Sequence, residues 1–535
     1  GALSTQAALR EGAAAAAEVL AAMGLKGATA DLPQAEDGGT RIRAYWEVPA
    51  ARGSAWLDFA NDVTTKDVRL AARENFRSVE HMKRYTTQGM APDQGKNSNL
   101  AALAVLADAT GRGIPETGTT TFRPPYVPVS IAAVGAGGQG KGFAPQRLST
   151  LNKAAIERGA GMTEFGLWYS PDFYLRPGET TWRQACDREV AMVRRTVGIC
   201  EMSTLGKIDI QGRDAARLLD FVYCNTFSTL PVGRARYGLM LREDGLVMDD
   251  GTTARLGDTH FLMTTTTLAA GAILRHLEFV HQAHFPGWDL RLTPVTEQWA
   301  QFAVAGPLAR ELLSPRLDTP IDGAAFPFMA CGAVRIMGVE GRLFRISFSG
   351  ELAFEIAVPA RYGESLWRKL VDRAEGLGGG AYGIEALNVM RIEKGFITHA
   401  EIHGRATAGD VGLQGMVSKK KDFIGRVMSR RPGLTDPDRE QLVGLRPNPP
   451  GQVIEAGAHL FDEGAEAVAA NNRGYVSSAC WSPTLKSHLA LAMLRGGRAR
   501  IGQRIRLVDA LRKTDVICDI VNPAFFDPEG ARARA

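Results

Sequence analysis

The chain has few cysteines and none of the spacings that bind metals. Six cysteines are spread over 535 residues, no two of them form a C-x-x-C pair, and no zinc, haem or iron–sulfur spacing occurs. A long chain with few scattered thiols is typical of a reducing compartment. We therefore predict no metal site and a cytoplasmic location.

Long apolar runs and blocks of one charge are also lacking. No uninterrupted apolar run approaches the roughly 20 residues that cross a bilayer. The net charge is only +5, and the run Lys419-Lys-Lys421 is short enough to be a solvated turn. These absences argue against a membrane protein and against a nucleic-acid-binding protein, so we expect a small-molecule substrate.

A dinucleotide fingerprint is missing as well. The run Gly135-Ala-Gly-Gly-Gln-Gly140 has enough glycines for a phosphate loop. It does not follow a strand and open a helix, so we interpret it as a plain loop.

Capping signals and apolar periodicity predict an α+β chain with a small helical module. In residues 51–115, Thr64 with Asp67, Ser78, and Asn97 or Ser98 are candidate helix starts, and Gly89 is a candidate stop for the helix after Ser78. Residues 116–149, with Phe122-Arg-Pro-Pro-Tyr126, predict an extended connector lying on another surface, such as that of a partner subunit. Strands and helices alternate over 150–435, with one strand over 197–210, and 436–535 read as a small all-β domain.

The run from Tyr237 to Asp250 predicts a β-hairpin. Tyr237 to Leu241 is strand-like, Arg242 to Gly245 is a charged turn, and Leu246 to Met248 resumes a strand. Asp249 and Asp250 follow on that strand. Because side chains alternate along a strand, one carboxylate can point into a site while its neighbour satisfies backbone N–H groups.

A second strand carries Glu355. Ser349-Gly350 predicts a turn, after which Leu352, Phe354 and Ile356 share one face and Glu355 points to the other. A carboxylate there suits two adjacent N–H donors of a ligand, although a solvent-facing glutamate is the commoner state of a strand residue.

Four elements occur in the order found in the aminomethyltransferase (glycine cleavage T-protein) family, which this chain resembles. They lie after the helical module and are collinear: Val197 to Lys207, Pro231 to Asp250, Phe348 to Ile356, and Gly474 to Leu485. The resemblance implies a multidomain α+β fold with a C-terminal β-barrel, and a tetrahydrofolate site.

The same resemblance implies roles for six residues. Asp250 would be the reactive-centre carboxylate and Glu355 the pterin acceptor. Tyr237 would pack against the folate, and Thr266 and Phe348 would line it, where relatives carry Asn and in some cases Tyr. Arg391 would serve either the internal structure or the folate tail, with equal weight.

Further features resemble the α subunits of heterotetrameric sarcosine oxidases. The helical module is similar to the bacterioferritin-associated ferredoxin type, but the four cysteine positions are Asp58, Ala60, Asp93 and Ser98, so no cluster is expected. Residues 1–50 would be the remnant of a nucleotide-binding flavoprotein domain plus a linker, with a helix over Ala13–Met23, and the chain would begin inside a longer polypeptide.

That resemblance implies a cofactor set and partners. Tetrahydrofolate would bind this chain, FMN or FAD would lie on a partner subunit or at an interface, and NAD would require the missing N-terminal domain. The partners would be a flavin-bearing β subunit and smaller γ and δ subunits. The implied reaction yields 5,10-methylenetetrahydrofolate, glycine and hydrogen peroxide from sarcosine. Two alternatives stay open: a stand-alone tetrahydrofolate-dependent aminomethyltransferase or demethylase, and a non-catalytic scaffold subunit.

Overall fold

The chain forms two compact units, residues 1–143 and 144–535. The computed structural model describes residues 4–27, 31–35, 45–48, 50, 52–124, 126–135 and 146–535. The glycine-rich loop predicted at 135–140 therefore lies almost entirely outside the described residues. Among the helices described, none is both long and apolar enough to cross a membrane.

The first unit is mostly helical, as predicted. Its elements, in chain order, are α1 (Thr5–Ala22), β1 (Trp56–Asp58), β2 (Val63–Thr64), α2 (Thr65–Arg73), α3 (Val79–Thr86), α4 (Asn99–Thr110), α5 (Ile114–Thr117) and α6 (Ile131–Val134).

The predicted helix starts of this unit are confirmed. Asp67 accepts hydrogen bonds from both the backbone N–H and the hydroxyl of Thr64 in front of α2, and Ser78 and Ser98 precede α3 and α4. The predicted stop of α3 at Gly89 is wrong, because Thr87 already adopts the left-handed conformation with φ 63° and ends the helix there.

The extended connector lies on its own unit. Glu80 of α3 accepts a hydrogen bond from the Thr121 N–H, Lys83 donates to the Thr121 carbonyl, and Gln94 accepts from the Arg123 N–H. The described contacts of residues 121–123 thus give the connector a surface within the same chain.

The second unit holds the other elements. Its helices are α7 (Asn152–Glu157), α8 (Trp182–Arg195), α9 (Ala215–Val222), α10 (Ala270–Phe279), α11 (Ala309–Leu313), α12 (Gly363–Gly376), α13 (Ile384–Lys394), α14 (Pro432–Thr435) and α15 (Ala531–Arg534). Its strands before the barrel are β3 (Arg147–Leu148), β4 (Ala160–Phe165), β5 (Trp168–Tyr174), β6 (Gly198–Glu201), β7 (Gly206–Gln211), β8 (Arg234–Leu241), β9 (Val247–Gly257), β10 (His260–Thr265), β11 (Arg291–Pro294), β12 (Trp299–Ala305), β13 (Cys331–Ile336), β14 (Val339–Phe344), β15 (Ala353–Pro359) and β16 (Gly380–Ala381).

Two larger sheets, a small sheet and a barrel organise this unit. One sheet has the strand order β11-β7-β10-β9-β8, the next has β13-β14-β15-β12-β6-β16, and a small sheet has β3-β5-β4. The C-terminal strands close into a barrel in the order β17-β20-β19-β18-β21-β22, where they are β17 (Glu440–Pro447), β18 (His459–Phe461), β19 (Asn472–Ser482), β20 (Ser487–Arg495), β21 (Arg504–Asp509) and β22 (Thr514–Val521). The predicted α+β class and C-terminal barrel are confirmed.

The single strand expected over residues 197–210 is wrong. The chain forms β6 and β7 with a turn between them, and these strands belong to different sheets. Gly206 explains part of this turn, since a Cβ there would lie 2.2 Å from the Thr265 hydroxyl of β10. The first segment of the predicted family match therefore links the two sheets.

One apolar cluster joins the two larger sheets, α13 and the barrel. Leu239 of β8, Cys200 of β6, Met390 of α13 and Leu489 of β20 are all buried in it. Partly buried side chains such as Phe348 pack against the same cluster. Burial of this shared cluster stabilises the mutual arrangement of these four parts. The two sheets and α13 carry residues of the predicted site.

Candidate functional site

The hairpin predicted around Asp250 is confirmed, with β8 and β9 as its strands. β8 is an edge strand of its sheet, and Leu239 pairs with Asp250 while Met240 pairs with Asp249. The register shifts by one residue next to the turn, between Met240 and Leu241. Such a bulge re-aims the side chains that follow it on the paired strand.

Tyr237 and Asp250 contact each other across the hairpin. The Tyr237 hydroxyl donates to Oδ2 of Asp250 at 2.5 Å, and both residues are half-buried. No other described residue donates to the second oxygen, Oδ1, although the backbone N–H of Asp250 itself also lowers the pKa of the carboxyl. Asp250 is therefore held at one oxygen and left open at the other.

Asp249 is held at both oxygens. Its Oδ1 accepts from the Thr266 hydroxyl at 2.9 Å, and its Oδ2 accepts from the Thr266 N–H at 3.3 Å. Thr266 thus contacts the first aspartate and has no described bond to the second. The predicted division between an anchoring and a site carboxylate agrees with this geometry.

Burial raises the pKa of both aspartates. It raises the pKa of Asp249 to about 7, and the neighbouring charge of Asp250 adds to that rise. Burial also raises the pKa of Asp250, while the hydrogen bond from Tyr237 lowers it. Carboxylates whose pKa is raised towards neutrality are suited to accept and return a proton.

Glu355 lies on a sheet face made of small side chains. It is 7% exposed, Ala303 is its partner on β12, and Ala353 and Ala357 flank it on β15. The opposite face carries Phe354 and Ile356 in a separate core cluster, as predicted. On its other side, Glu355 pairs with Phe344 of β14.

Two residues beside Glu355 were missed by the sequence analysis. The Gln301 amide donates to Glu355 Oε2 at 2.5 Å. Burial raises the pKa of Glu355, and this hydrogen bond and the charge of Lys207 lower it. Lys207 is buried, with its ammonium on the carbonyls of the turn after β6, and burial lowers its pKa to about 8. Neither a glutamine on an apolar strand nor a lysine after a glycine is a sequence pattern that indicates a binding site.

Arg391 is buried inside the protein. Its guanidinium donates to Glu401, to Ser478 of the barrel, to the Phe396 carbonyl and to Asn388. Of the two roles left open by the sequence, these contacts favour the internal one. Ser478 of β19 accepts from Arg391 and donates to Glu401, so this buried pair connects α13 to the barrel.

Phe348 forms part of an apolar wall. Its ring stacks on that of Phe396, with centroids 5.8 Å apart and planes 19° from parallel. The side chain is half-buried and packs on the cluster shared by the sheets and the barrel.

A cleft of about 780 Å³ opens at the exposed edge of β8. Tyr237, Met416 and two arginines, Arg234 and Arg236, are among its lining residues. Each arginine donates to a backbone carbonyl, of Phe328 and Thr226 respectively. Neither has a carboxylate partner in the described chain, so the cleft is cationic and reaches the hairpin through Tyr237.

An antiparallel sheet, a mixed sheet, a closed barrel and a hairpin with a held carboxylate define an aminomethyltransferase-type fold. The chain belongs to the GCVT family: residues 151–421 match the GCVT N-terminal domain. Residues 440–527 match the glycine cleavage T-protein C-terminal barrel domain, and residues 52–138 match the sarcosine oxidase A3 domain.

Individual relatives agree with this assignment. The chain is similar to the sarcosine oxidase subunit alpha of Rhizobium meliloti (strain 1021), with 48% identity over 98% of this chain and 54% of that protein. It is 40% identical to the subunit alpha of Corynebacterium sp. (strain U-96) over 99% of this chain and 56% of that protein. The chain thus spans about half the length of these relatives.

A solved structure supports the fold. The glycine cleavage system aminomethyltransferase T of Bartonella henselae superposes with a TM-score of 0.61 at 23% identity, covering 71% of this chain and 98% of that one.

Proposed function

We propose that this chain is the folate-binding part of a sarcosine oxidase α subunit. In this role it transfers the one-carbon unit of an oxidised N-methyl amine to tetrahydrofolate. The observation that carries the proposal is the pair formed by Tyr237 and Asp250, with one free carboxylate oxygen, in a chain that resembles sarcosine oxidase α subunits over nearly its whole length.

The residues present fit tetrahydrofolate. The pterin ring needs an acceptor for its N–H donors, and the Glu355 carboxylate, with Ala303, Ala353 and Ala357 around it, offers one. Phe348 adds an apolar wall. When bound, tetrahydrofolate supplies the nitrogens that take up the one-carbon unit.

The residues of the chain then have separate tasks. Asp250 accepts a proton at Oδ1 while Tyr237 holds Oδ2, so the carboxylate keeps its direction as its charge changes. Thr266 holds Asp249, which in turn fixes the strand next to Asp250. Glu355 binds and orients the ring through its carboxylate.

The cationic cleft at β8 is the proposed place for the anionic tail of the folate. Arg391, the candidate considered from the sequence, has its donors engaged by protein acceptors. Arg234 and Arg236 instead line a cleft that Tyr237 shares. Guanidinium groups without a carboxylate partner are suited to bind carboxylates.

The overall reaction of the proposed complex balances. Sarcosine, tetrahydrofolate and O₂ give glycine, 5,10-methylenetetrahydrofolate and hydrogen peroxide. The amine oxidation takes place at a flavin outside this chain, on or next to a β subunit, with γ and δ subunits completing the assembly.

Purification from the native source tests the proposal. We expect flavin-bearing partner chains to co-purify, and Asp250→Ala to abolish folate-dependent formation of 5,10-methylenetetrahydrofolate while sarcosine oxidation continues and formaldehyde is released. An unchanged methylenetetrahydrofolate yield would exclude the role of Asp250. A lone chain that is fully active with tetrahydrofolate would instead support the stand-alone transferase.

A further inference from the structure

The side chain of Gln301 is buried beside Glu355 and has one polar atom without a partner. Gln301 is 2% exposed, and its amide nitrogen donates to Glu355 Oε2 at 2.5 Å. In the described part of the chain, no donor reaches its carbonyl oxygen, Oε1. A buried acceptor without a donor costs about 1–3 kcal/mol, so such an atom calls for a physical reason.

The backbone holds Gln301 in place. Its N–H donates to the Ser203 hydroxyl at 3.1 Å, and its carbonyl accepts from the Met202 N–H at 2.7 Å. The neighbouring strands pair on both sides of β12, with Gln301 opposite Ala357. The side chain therefore cannot escape its burial by a shift of the strand.

The orientation of the amide follows from the charge of Glu355. The reverse orientation would place the Gln301 carbonyl oxygen against a carboxylate oxygen, which offers no hydrogen bond while Glu355 is ionised. The amide nitrogen must therefore face Glu355, and the carbonyl oxygen must face away from it. The charge of buried Lys207 favours the ionised form of Glu355.

The two acceptors share one face of the sheet, with Phe344 of β14 opposite Glu355. Gln301 and Glu355 lie on the same sheet face as Ala303 and Ala353, because their positions on β12 and β15 have the same parity in the register. The small side chains do not compete for the open oxygen atoms. The face thus carries a carboxylate oxygen and an amide oxygen next to each other.

We propose that Gln301 is a specificity-determining residue of the pterin site, where it positions Glu355 through its amide N–H and accepts a ligand N–H at Oε1. The inference rests on the proposed folate function. The pair selects a heterocycle with adjacent amide and amino donors, such as a 2-amino-4-oxopyrimidine ring. A ring that lacks the amino group leaves one acceptor unpaired and is rejected.

Two substitutions test the role through opposite pH trends. Gln301→Met keeps the length but removes donor and acceptor, so the pKa of Glu355 rises and tetrahydrofolate binding recovers only as the pH increases. Gln301→Glu places a second carboxylate beside Glu355. As the pH falls, the two carboxylates share a proton, which restores a hydrogen-bond donor to Glu355, and tetrahydrofolate binding recovers. A merely structural role would change both affinities without opposite pH dependence.

The measurement is the dissociation constant of tetrahydrofolate, from calorimetry on the purified complex between pH 6 and 9. We expect about a tenfold weaker affinity for Gln301→Met at neutral pH, equivalent to about 1.4 kcal/mol. We also expect KM for folate to rise while kcat at saturating folate is kept. Phe302→Leu, on the opposite face of β12, is the control for disturbance of the strand and should bind as wild type.

A folate analogue without the 2-amino group provides the specificity readout. Wild type should prefer tetrahydrofolate over this analogue, and Gln301→Met should lose most of that preference. If wild type does not bind tetrahydrofolate at all, the proposed function itself fails. If wild type binds and Glu355→Gln weakens binding, but both Gln301 variants keep the wild-type affinity, pH dependence and preference, only the present inference is overturned.

Discussion

The Tyr237 hydroxyl donates to one oxygen of Asp250 at 2.5 Å, although thirteen residues separate the two in the chain. The hairpin turn brings them together on one face of β8 and β9. The bond orients the carboxylate and lowers a pKa that burial raises. The protonation of the proposed reactive centre therefore depends on the balance between its burial and the Tyr237 hydrogen bond.

Removing the Tyr237 hydroxyl should shift the pH dependence of folate-dependent transfer. In Tyr237→Phe the pKa of Asp250 rises, because a hydrogen bond to the ionised form is lost. If ionised Asp250 is the active form, the rate at low pH falls and the rising limb of the pH profile moves to higher pH. Methylenetetrahydrofolate formation is measured against pH. Tyr223→Phe, a buried tyrosine bonded to Thr253, is the control, and a rising limb that shifts equally in both variants would contradict the prediction.

Arg391→Met should destabilise the second unit. The substitution leaves Glu401 buried without its cation, and loss of one partner of a buried pair costs about 3–5 kcal/mol. We expect a clearly lower Tm in differential scanning calorimetry. Arg368→Met, in an exposed pair with Glu157, is the matched control with little expected change. A wild-type Tm combined with loss of folate binding would favour the folate-tail role instead.

Glu201→Gln should change how stability depends on pH. Burial raises the pKa of Glu201 to about 7 from its ordinary 4.5. A group with a raised folded-state pKa contributes stability below about pH 4.5 that is lost as the pH rises through 7. The penalty at pH 8 is on the order of 3 kcal/mol. Glu201→Gln removes it, so its Tm relative to wild type should increase between pH 5 and 8. A difference in Tm that stays constant across this interval would argue against the raised pKa.

Asp58→Ala should loosen the helical module. The Asp58 carboxylate accepts from the backbone N–H groups of Ala60, Asn61 and Gly89, and so it ties two loops together at a position where related ferredoxin-type modules have a cysteine. The variant leaves these donors unpaired, at a cost of about 1–3 kcal/mol. Faster amide hydrogen exchange at Gly89 and Met90 would report the effect. Asp62→Ala, in the loop between β1 and β2, serves as the comparison. Equal amide exchange in both variants would refute the role of Asp58.

Arg236→Gln should weaken the binding of polyglutamylated tetrahydrofolate more than that of the monoglutamate. The cleft at β8 would lose one of its two unpaired guanidinium groups, and each added carboxylate depends on them. Calorimetry with both ligands, at low and at high salt, measures the difference. Arg255→Gln offers a comparison on β9, because its guanidinium is engaged by four backbone carbonyls. If the variant loses the same affinity for both folates, the glutamate tail does not bind in the cleft at β8.

Local patterns were enough to predict several parts of this protein. The turn at Arg242 to Gly245 and the alternation around Glu355 predict their strands and faces, because these depend on neighbouring residues. Thr64 with Asp67 likewise predicts the start of α2. The different contacts of Asp249 and Asp250 follow from the same alternation, since adjacent strand residues point to opposite faces, while their roles stay a prediction.

Contacts between distant segments needed the structure. The run 197–210 reads as one strand, yet it crosses between two sheets, because pairing with β10 and β12 decides where it bends. Arg391 could not be assigned until Glu401 and Ser478 were placed around it.

The sequence by itself determined the hairpin, the helix starts, the β character of the C-terminal domain and the residue types of the site. Only the tertiary structure decided which of them meet. Gln301 is the clearest case: it lies 54 residues before Glu355, and its hydrogen bond exists because β12 and β15 pair in one register. Burial, and with it the pKa of each carboxylate, depends on such long-range packing, and no local pattern encodes it.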